Sequence, residues 1–197
     1  SIAWLLNIRG SDFEHTPLLC CHIVIPDQGK IEIFIAKPKV EHLIKELSYL
    51  INFHPFEKLD KYLLSIDRKK ILGMDKGSTS YHFKNICMDI GLSINHFENP
   101  CLYPKAIKNE IELNGARKAN LRDGVSVTKF IYWLKNTINV KEIDEIKAAE
   151  YLYNMRKKND LFYSLSFDTI SAFGPHAALP HYRVNADSNL SFSENFF

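Results

Sequence analysis

The residue in this chain whose setting most suggests proton chemistry is a histidine near the C-terminal end. In Phe173-Gly174-Pro175-His176-Ala177-Ala178-Leu179-Pro180-His181-Tyr182-Arg183, Gly174-Pro175 forces a turn, small residues follow, and His181 closes an apolar approach. An imidazole delivered at such a point can donate a proton to a ligand or take one from it near neutral pH. On the residues alone, a structural role for His181 is favoured, with ligand contact as the alternative.

Other candidate constellations fail on spacing. Gly73-Met74-Asp75-Lys76-Gly77-Ser78 looks like a phosphate loop, but a Walker loop needs its lysine after the second glycine to reach the phosphates. Here Lys76 precedes Gly77, so a strand-to-helix turn capped by Ser78 or Thr79 is the expectation. His15, His22, His42, His54, His82 and His96 have no second histidine or cysteine at ligand spacing, apart from the pair Cys20 and His22 on one strand face. Two residues make half a metal site at most. Cys20, Cys21, Cys87 and Cys101 contain no C-x-x-C and read as buried, inert thiols.

The elements that would hold these residues alternate in type. Residues 2–8 read as a buried strand, 18–25 as a second, and Ile31, Ile33 and Ile35 as a third, paired through Pro26-Asp27-Gln28-Gly29. Pro38 opens a helix whose stripe is Val40, Leu43, Ile44 and Leu47. Strands at 49–53, 70–73 and 93–97 then alternate with helices at 57–64 and 78–89, which implies an α/β layer structure with a partly parallel sheet. Asn99-Pro100-Cys101-Leu102-Tyr103-Pro104 breaks the rhythm and marks a domain boundary. Beyond it, residues 105–135 read as one long helix with Ile107, Ile111, Val127, Phe130, Ile131 and Leu134 on its apolar stripe, and 142–157 as a second. Residues 167–173 and 177–182 read as strands around Gly174-Pro175.

Composition narrows the partners. The 197 residues carry 25 Lys and Arg against 23 Asp and Glu, too balanced to attract nucleic acid by charge. No stretch approaches the roughly 20 apolar residues of a membrane span, and no secretory signal pattern opens the chain. A cytoplasmic protein without nucleic-acid or membrane partners is therefore expected. Ser1-Ile2-Ala3-Trp4-Leu5-Leu6 and Asn195-Phe196-Phe197 are apolar where termini are usually polar, as in a piece of a longer protein.

Three segments together resemble the aminopeptidase P (Xaa-Pro aminopeptidase) group of creatinase/prolidase-like metallopeptidases. Ile2-Ala3-Trp4-Leu5-Leu6-Asn7-Ile8-Arg9-Gly10-Ser11-Asp12 is similar to that group's I-A-W-L-x-N-x-R-G-S-D signature. Lys105-Ala106-Ile107-Lys108-Asn109-Glu110-Ile111-Glu112, then Arg122-Asp123-Gly124 and Trp133-Leu134, match K-A-x-K-N-x-x-E…R-D-G…W-L. Phe167-Asp168-Thr169-Ile170-Ser171 through Gly174-Pro175 to His181-Tyr182-Arg183 is the third.

The resemblance implies an α/β chain: a creatinase/prolidase N-terminal-like domain at residues 1–100, the second of the family's two and truncated at its start, then the first half of an α+β pita-bread catalytic domain at 104–197. It implies release of the N-terminal residue from peptides with proline second, by an enzyme with two metal ions, usually Mn(II). His181 matches the family histidine that contacts substrate or tetrahedral intermediate. Arg9 and Asp12 either face the cleft or fix a turn through side-chain to backbone bonds, the turn being favoured. The family's metal ligands, two aspartates, a histidine and two glutamates, follow this histidine, and Asp168, Asp187 and Glu194 match none of them. The expectation is that residues 1–197 bind no metal and are inactive alone. A second copy or a companion chain with the missing half would be the partner; a non-catalytic peptide- or subunit-binding remnant is the alternative. Half a curved sheet at 167–197 would leave strand edges exposed.

Overall fold

β-Branched residues in alternation build the centre of the first of two units, Ser1–Lys108 and Asn109–Phe197. The computed structural model describes residues 1–137 and 142–192. Strand β1 (His22–Val24) pairs antiparallel with β2 (Ile31–Phe34), placing Ile23 opposite Ile33, and β3 (Ile51–His54) adds parallel to the other edge of β2. The Pro26 to Gly29 hairpin is thus formed as expected, with Gly29 at φ 98°.

Between β2 and β3 the chain crosses over through α2 (Glu41–Leu47), entered by a 3-10 turn at Lys37–Lys39 whose Pro38 needs no backbone donor there. After α3 (Leu59–Leu64), strands β4 (Ile71–Asp75) and β5 (Ser93–Phe97) form a second, parallel pair joined through α4 (Tyr81–Asp89). Both faces of β2 are buried. Ile33 and Ile35 join Ile8, Val40 and Ile51, while Phe34 packs with Leu59, Leu63, Met74, Cys87 and Leu92. A sheet covered on both faces is what parallel crossovers produce.

Several expectations give way here. Residues 2–8 are not a strand. Helix α1 (Ile2–Leu5) and a turn with Asn7 at φ 51° bring the Ile8 N–H to the Ala3 carbonyl at 3.0 Å. A continuous apolar run carries no period to separate helix from strand, and burying Ala3 and Ile8 together selects the helix. The cap of α4 is Ser80, which accepts from the His82 N–H, rather than Ser78 or Thr79. Asp75 holds the turn before it, accepting from the Gly77 N–H and the Ser78 hydroxyl.

The long helix is split. Helix α5 (Leu102–Ala106) carries Pro104 within its first turn, where no intrahelical donor is required. Helix α6 (Glu110–Asn136) begins afresh at a capping box in which Asn109 and Glu112 bond each other's backbone N–H at 2.9 Å. It runs unbroken through Gly115 and Gly124 to Phe130, Trp133 and Leu134, which pack on Ile143, Ala148 and Phe192. Ile107 and Ile111, expected on the inward stripe, are 72% and 84% exposed.

Helix α7 (Glu145–Lys157) starts later than expected because Asp144 caps it, accepting from the Lys147 N–H at 2.7 Å. Trp133 of α6 stacks on Tyr151 of α7 at 3.7 Å and 9°. Residues 167–173 and 177–182 form no strand, so the unpaired sheet edges expected there are not present among the described residues. The chain instead makes a 3-10 turn at Gly174–Ala178 and touches α7 through a bridge between Asp144 and Ser191. The apolar run Asn195-Phe196-Phe197 and Glu194 lie outside the described residues. No helix among those described is long and apolar enough to cross a membrane.

Candidate functional site

The segment bearing His181 is organised by one buried carboxylate at the start of α7. Asp144 caps the helix, so Glu145, the first helical residue, turns into the core and is fully buried. Glu145 Oε1 accepts the Phe173 N–H at 2.6 Å and faces His176 Nδ1 at 2.9 Å. Its Oε2 accepts the Tyr182 hydroxyl at 2.9 Å and the Leu190 N–H at 3.2 Å. A buried carboxylate is tolerable only when so satisfied. Burial works to raise its pKa, but the bonds from Phe173, His176, Leu190 and Tyr182 prevail and hold it below the ordinary 4.5.

Tyr182 is buried by the same contacts. Its ring stacks on His176 at 4.3 Å, and its hydroxyl also lies 2.9 Å from Ser188 Oγ. Burial first, then the hydrogen bond to Glu145 and its charge, push the phenol pKa up, so it remains a donor. The residue before it points the other way. His181 is exposed and sits at φ 56°, a left-handed backbone rare outside glycine and asparagine.

Arg9 and Asp12 belong to the first unit. Arg9 Nη1 donates to the carbonyls of Ala3 at 3.1 Å and Ile8 at 3.0 Å, closing the turn after α1. Asp12 accepts the Cys20 N–H at 2.6 Å and the Lys39 ammonium at 2.5 Å. The Lys39 hydrogen bond, with help from Cys20, holds its carboxyl below the ordinary 3.8. Between them Gly10 lies so close to the returning chain that an added Cβ would stand 2.7 Å from Leu19 Cβ and 3.1 Å from the Leu18 carbonyl.

Among the described residues, no three histidine, cysteine, aspartate or glutamate side chains converge as a cation site. Asp168 instead pairs with Arg183 at 3.1 Å, and the Asp187 N–H bonds Asn185. By residue type alone, Glu145 suits the start of a helix, where an acidic side chain meets the dipole. Its neighbours Ile143, Ile146 and Ala148 were the signal that the position faces inward.

A mixed α/β first unit, followed by a helical pair and a looped histidine segment, is the pattern of a creatinase-type metallopeptidase chain. The Creatinase/Prolidase N-terminal domain model matches residues 1–112 and that of Metallopeptidase family M24 matches 114–195. The chain belongs to this creatinase/prolidase-like family. A probable Xaa-Pro aminopeptidase P of Coccidioides posadasii is 33% identical over 196 residues, covering 93% of this chain and 31% of that protein. Xaa-Pro aminopeptidase 1 of Dictyostelium discoideum is 32% identical over 203 residues, covering 100% of this chain and 32% of its own. Among solved structures, the X-prolyl aminopeptidase of Caenorhabditis elegans, described as a cytosolic enzyme with a di-nuclear active site, matches with a TM-score of 0.84 and 28% identity. That match covers 96% of this chain and 32% of the nematode chain. The chain thus spans about a third of the length of the curated relatives it matches.

Proposed function

We propose that residues 1–197 are part of a Xaa-Pro aminopeptidase, which releases the N-terminal residue of peptides with proline second in a metal-dependent reaction. Relatives carrying that name along nearly the whole chain support the reading. Residues 1–100 act as the creatinase-like domain and 104–197 as the first half of the catalytic domain, in a cytosolic setting like that described for the nematode enzyme. The observation that carries the site is His181, exposed on a left-handed backbone beside a tethered Tyr182. Its imidazole contacts the substrate or tetrahedral intermediate by hydrogen bonding. Arg9 and Asp12 keep the turn in shape.

The two Mn(II) ions of the family have no donor set among the described residues, so hard-cation binding is left to ligands outside them. The chain alone is expected to be inactive. The same observation favours the second reading, a non-catalytic module that binds peptide or a subunit. Hydrolysis of Arg-Pro-Pro with added manganese tests both. Residues 1–197 alone are expected to show no turnover, and joined to a family catalytic half to regain turnover that His181→Ala removes. Turnover by the chain alone, abolished by His181→Ala, overturns the inactivity; a joined enzyme indifferent to His181→Ala overturns the role of His181.

A further inference from the structure

A left-handed backbone at a non-glycine residue persists only where its surroundings over-determine it. At His181 those surroundings are a turn through Pro180, closed by the Tyr182 N–H on the Leu179 carbonyl at 3.3 Å, and the anchoring of the Tyr182 side chain. Tyr182, the next residue, is pinned inward by its hydroxyl on Glu145 at 2.9 Å and by stacking on His176, itself 2.9 Å from the same carboxylate. Glu145 also takes the Phe173 and Leu190 N–H groups, so one carboxylate clasps both ends of the segment that contains His181. With Tyr182 held inside and Pro180 fixed before it, the turn between them leaves His181 exposed.

We infer that Glu145 is the positioning residue for His181: it acts through Tyr182 to hold the imidazole out of the segment and ready for a ligand. The inference deepens the proposed function and rests on it for the meaning of the ligand. Glutamine at 145 is nearly the same size but presents an amide NH2 where two of the donors now point, so it must release part of the clasp.

The test is NMR of isotope-labelled residues 1–197 as wild type, Tyr182→Phe and Glu145→Gln, well below the melting temperature. Tyr182→Phe removes one hydroxyl and keeps the ring. It is expected to move the His181 N–H and Cα signals away from their left-handed positions and to speed amide exchange at residues 181 and 182 about tenfold. Glu145→Gln is expected to move His181 the same way and to speed exchange at Phe173 and Leu190 as well. His181 signals unchanged in Tyr182→Phe, or in a folded Glu145→Gln, overturn the inference, even if melting temperature falls, because a merely structural carboxylate would lower stability without moving them. If Glu145→Gln does not fold, Tyr182→Phe decides. The proposed function fails separately, when His181→Ala leaves peptide hydrolysis by the joined enzyme unchanged.

Discussion

Arg156 on α7 grips Asp123 on α6 with two parallel hydrogen bonds, Nε to Oδ1 at 2.6 Å and Nη2 to Oδ2 at 3.1 Å. The fork ties the helices at the Arg122-Asp123-Gly124 motif, and Asn159 reinforces it by donating to the buried Ser126 hydroxyl at 2.8 Å. The aspartate of the R-D-G signature thus serves helix packing.

The pair is half open to water, with Arg156 and Asp123 side chains 24% and 48% exposed, so its contribution is modest. Arg156→Ala is expected to lower stability by about 1 kcal/mol, and a double-mutant cycle with Asp123→Ala to show coupling of about 0.5–1 kcal/mol. Urea denaturation at low and high salt checks both; coupling that does not shrink with salt would contradict the half-exposed geometry.

Two glycines should respond differently to alanine. At Gly10 the new methyl meets Leu19 Cβ and the Leu18 carbonyl, atoms fixed to backbone, and about 1–3 kcal/mol of destabilisation is expected. At Gly73 the obstacle is the Phe97 ring at 2.1 Å, whose side chain is 44% exposed and free to swing. Gly73→Ala should therefore cost less, and Phe97→Ala should remove most of that cost. Thermal unfolding of the single and double variants measures the difference.

The acid limb of stability should report Glu145 and Asp12. Both carboxyls are held below their ordinary values of 4.5 and 3.8 in the folded chain. As pH falls through that range, the unfolded chain takes up protons first, so stability present above about pH 5 is lost progressively below it. Urea midpoints measured from pH 7 down to about pH 3 should fall in wild type. The fall should be shallower in Glu145→Gln, provided that variant folds. A midpoint independent of pH would contradict the clasp.

Thiol chemistry should follow exposure rather than adjacency. Cys20 is exposed, while burial and the neighbouring Cys20 push the Cys21 thiol up to about 11, and Cys87 is buried and also raised by burial. Because the thiolate is the nucleophile, alkylation at mildly alkaline pH should modify Cys20 well before Cys21, with Cys87 last. Mass spectrometry of a time course reads the order; Cys21 reacting as fast as Cys20 would refute it.

Elements with a clear period were legible from residues alone. The Ile31, Ile33 and Ile35 strand, the α2 stripe and the 93–97 strand all appear where alternation or helical spacing puts them. Runs without a period were not. Residues 2–8 are apolar but for Asn7 and fit either element until Ala3 and Ile8 are seen buried and joined by the Ile8 N–H on the Ala3 carbonyl. The 167–182 stretch has strand-forming residues but forms no strand among the described residues, and its backbone bonds a carboxylate from another element.

Local order carried the motifs, the capping signals and the family likeness, because each is a matter of which residues stand a few positions apart. Residue order could mark His181 as a candidate, but not show what holds it. Glu145 reaches Phe173, His176, Tyr182 and Leu190 across 28 to 45 positions, and such distances close only when helix and loop fold together. Buried hydrogen bonding is satisfied by neighbours in space, so the partners of a carboxylate at a helix start emerge only once the chain has come back to it.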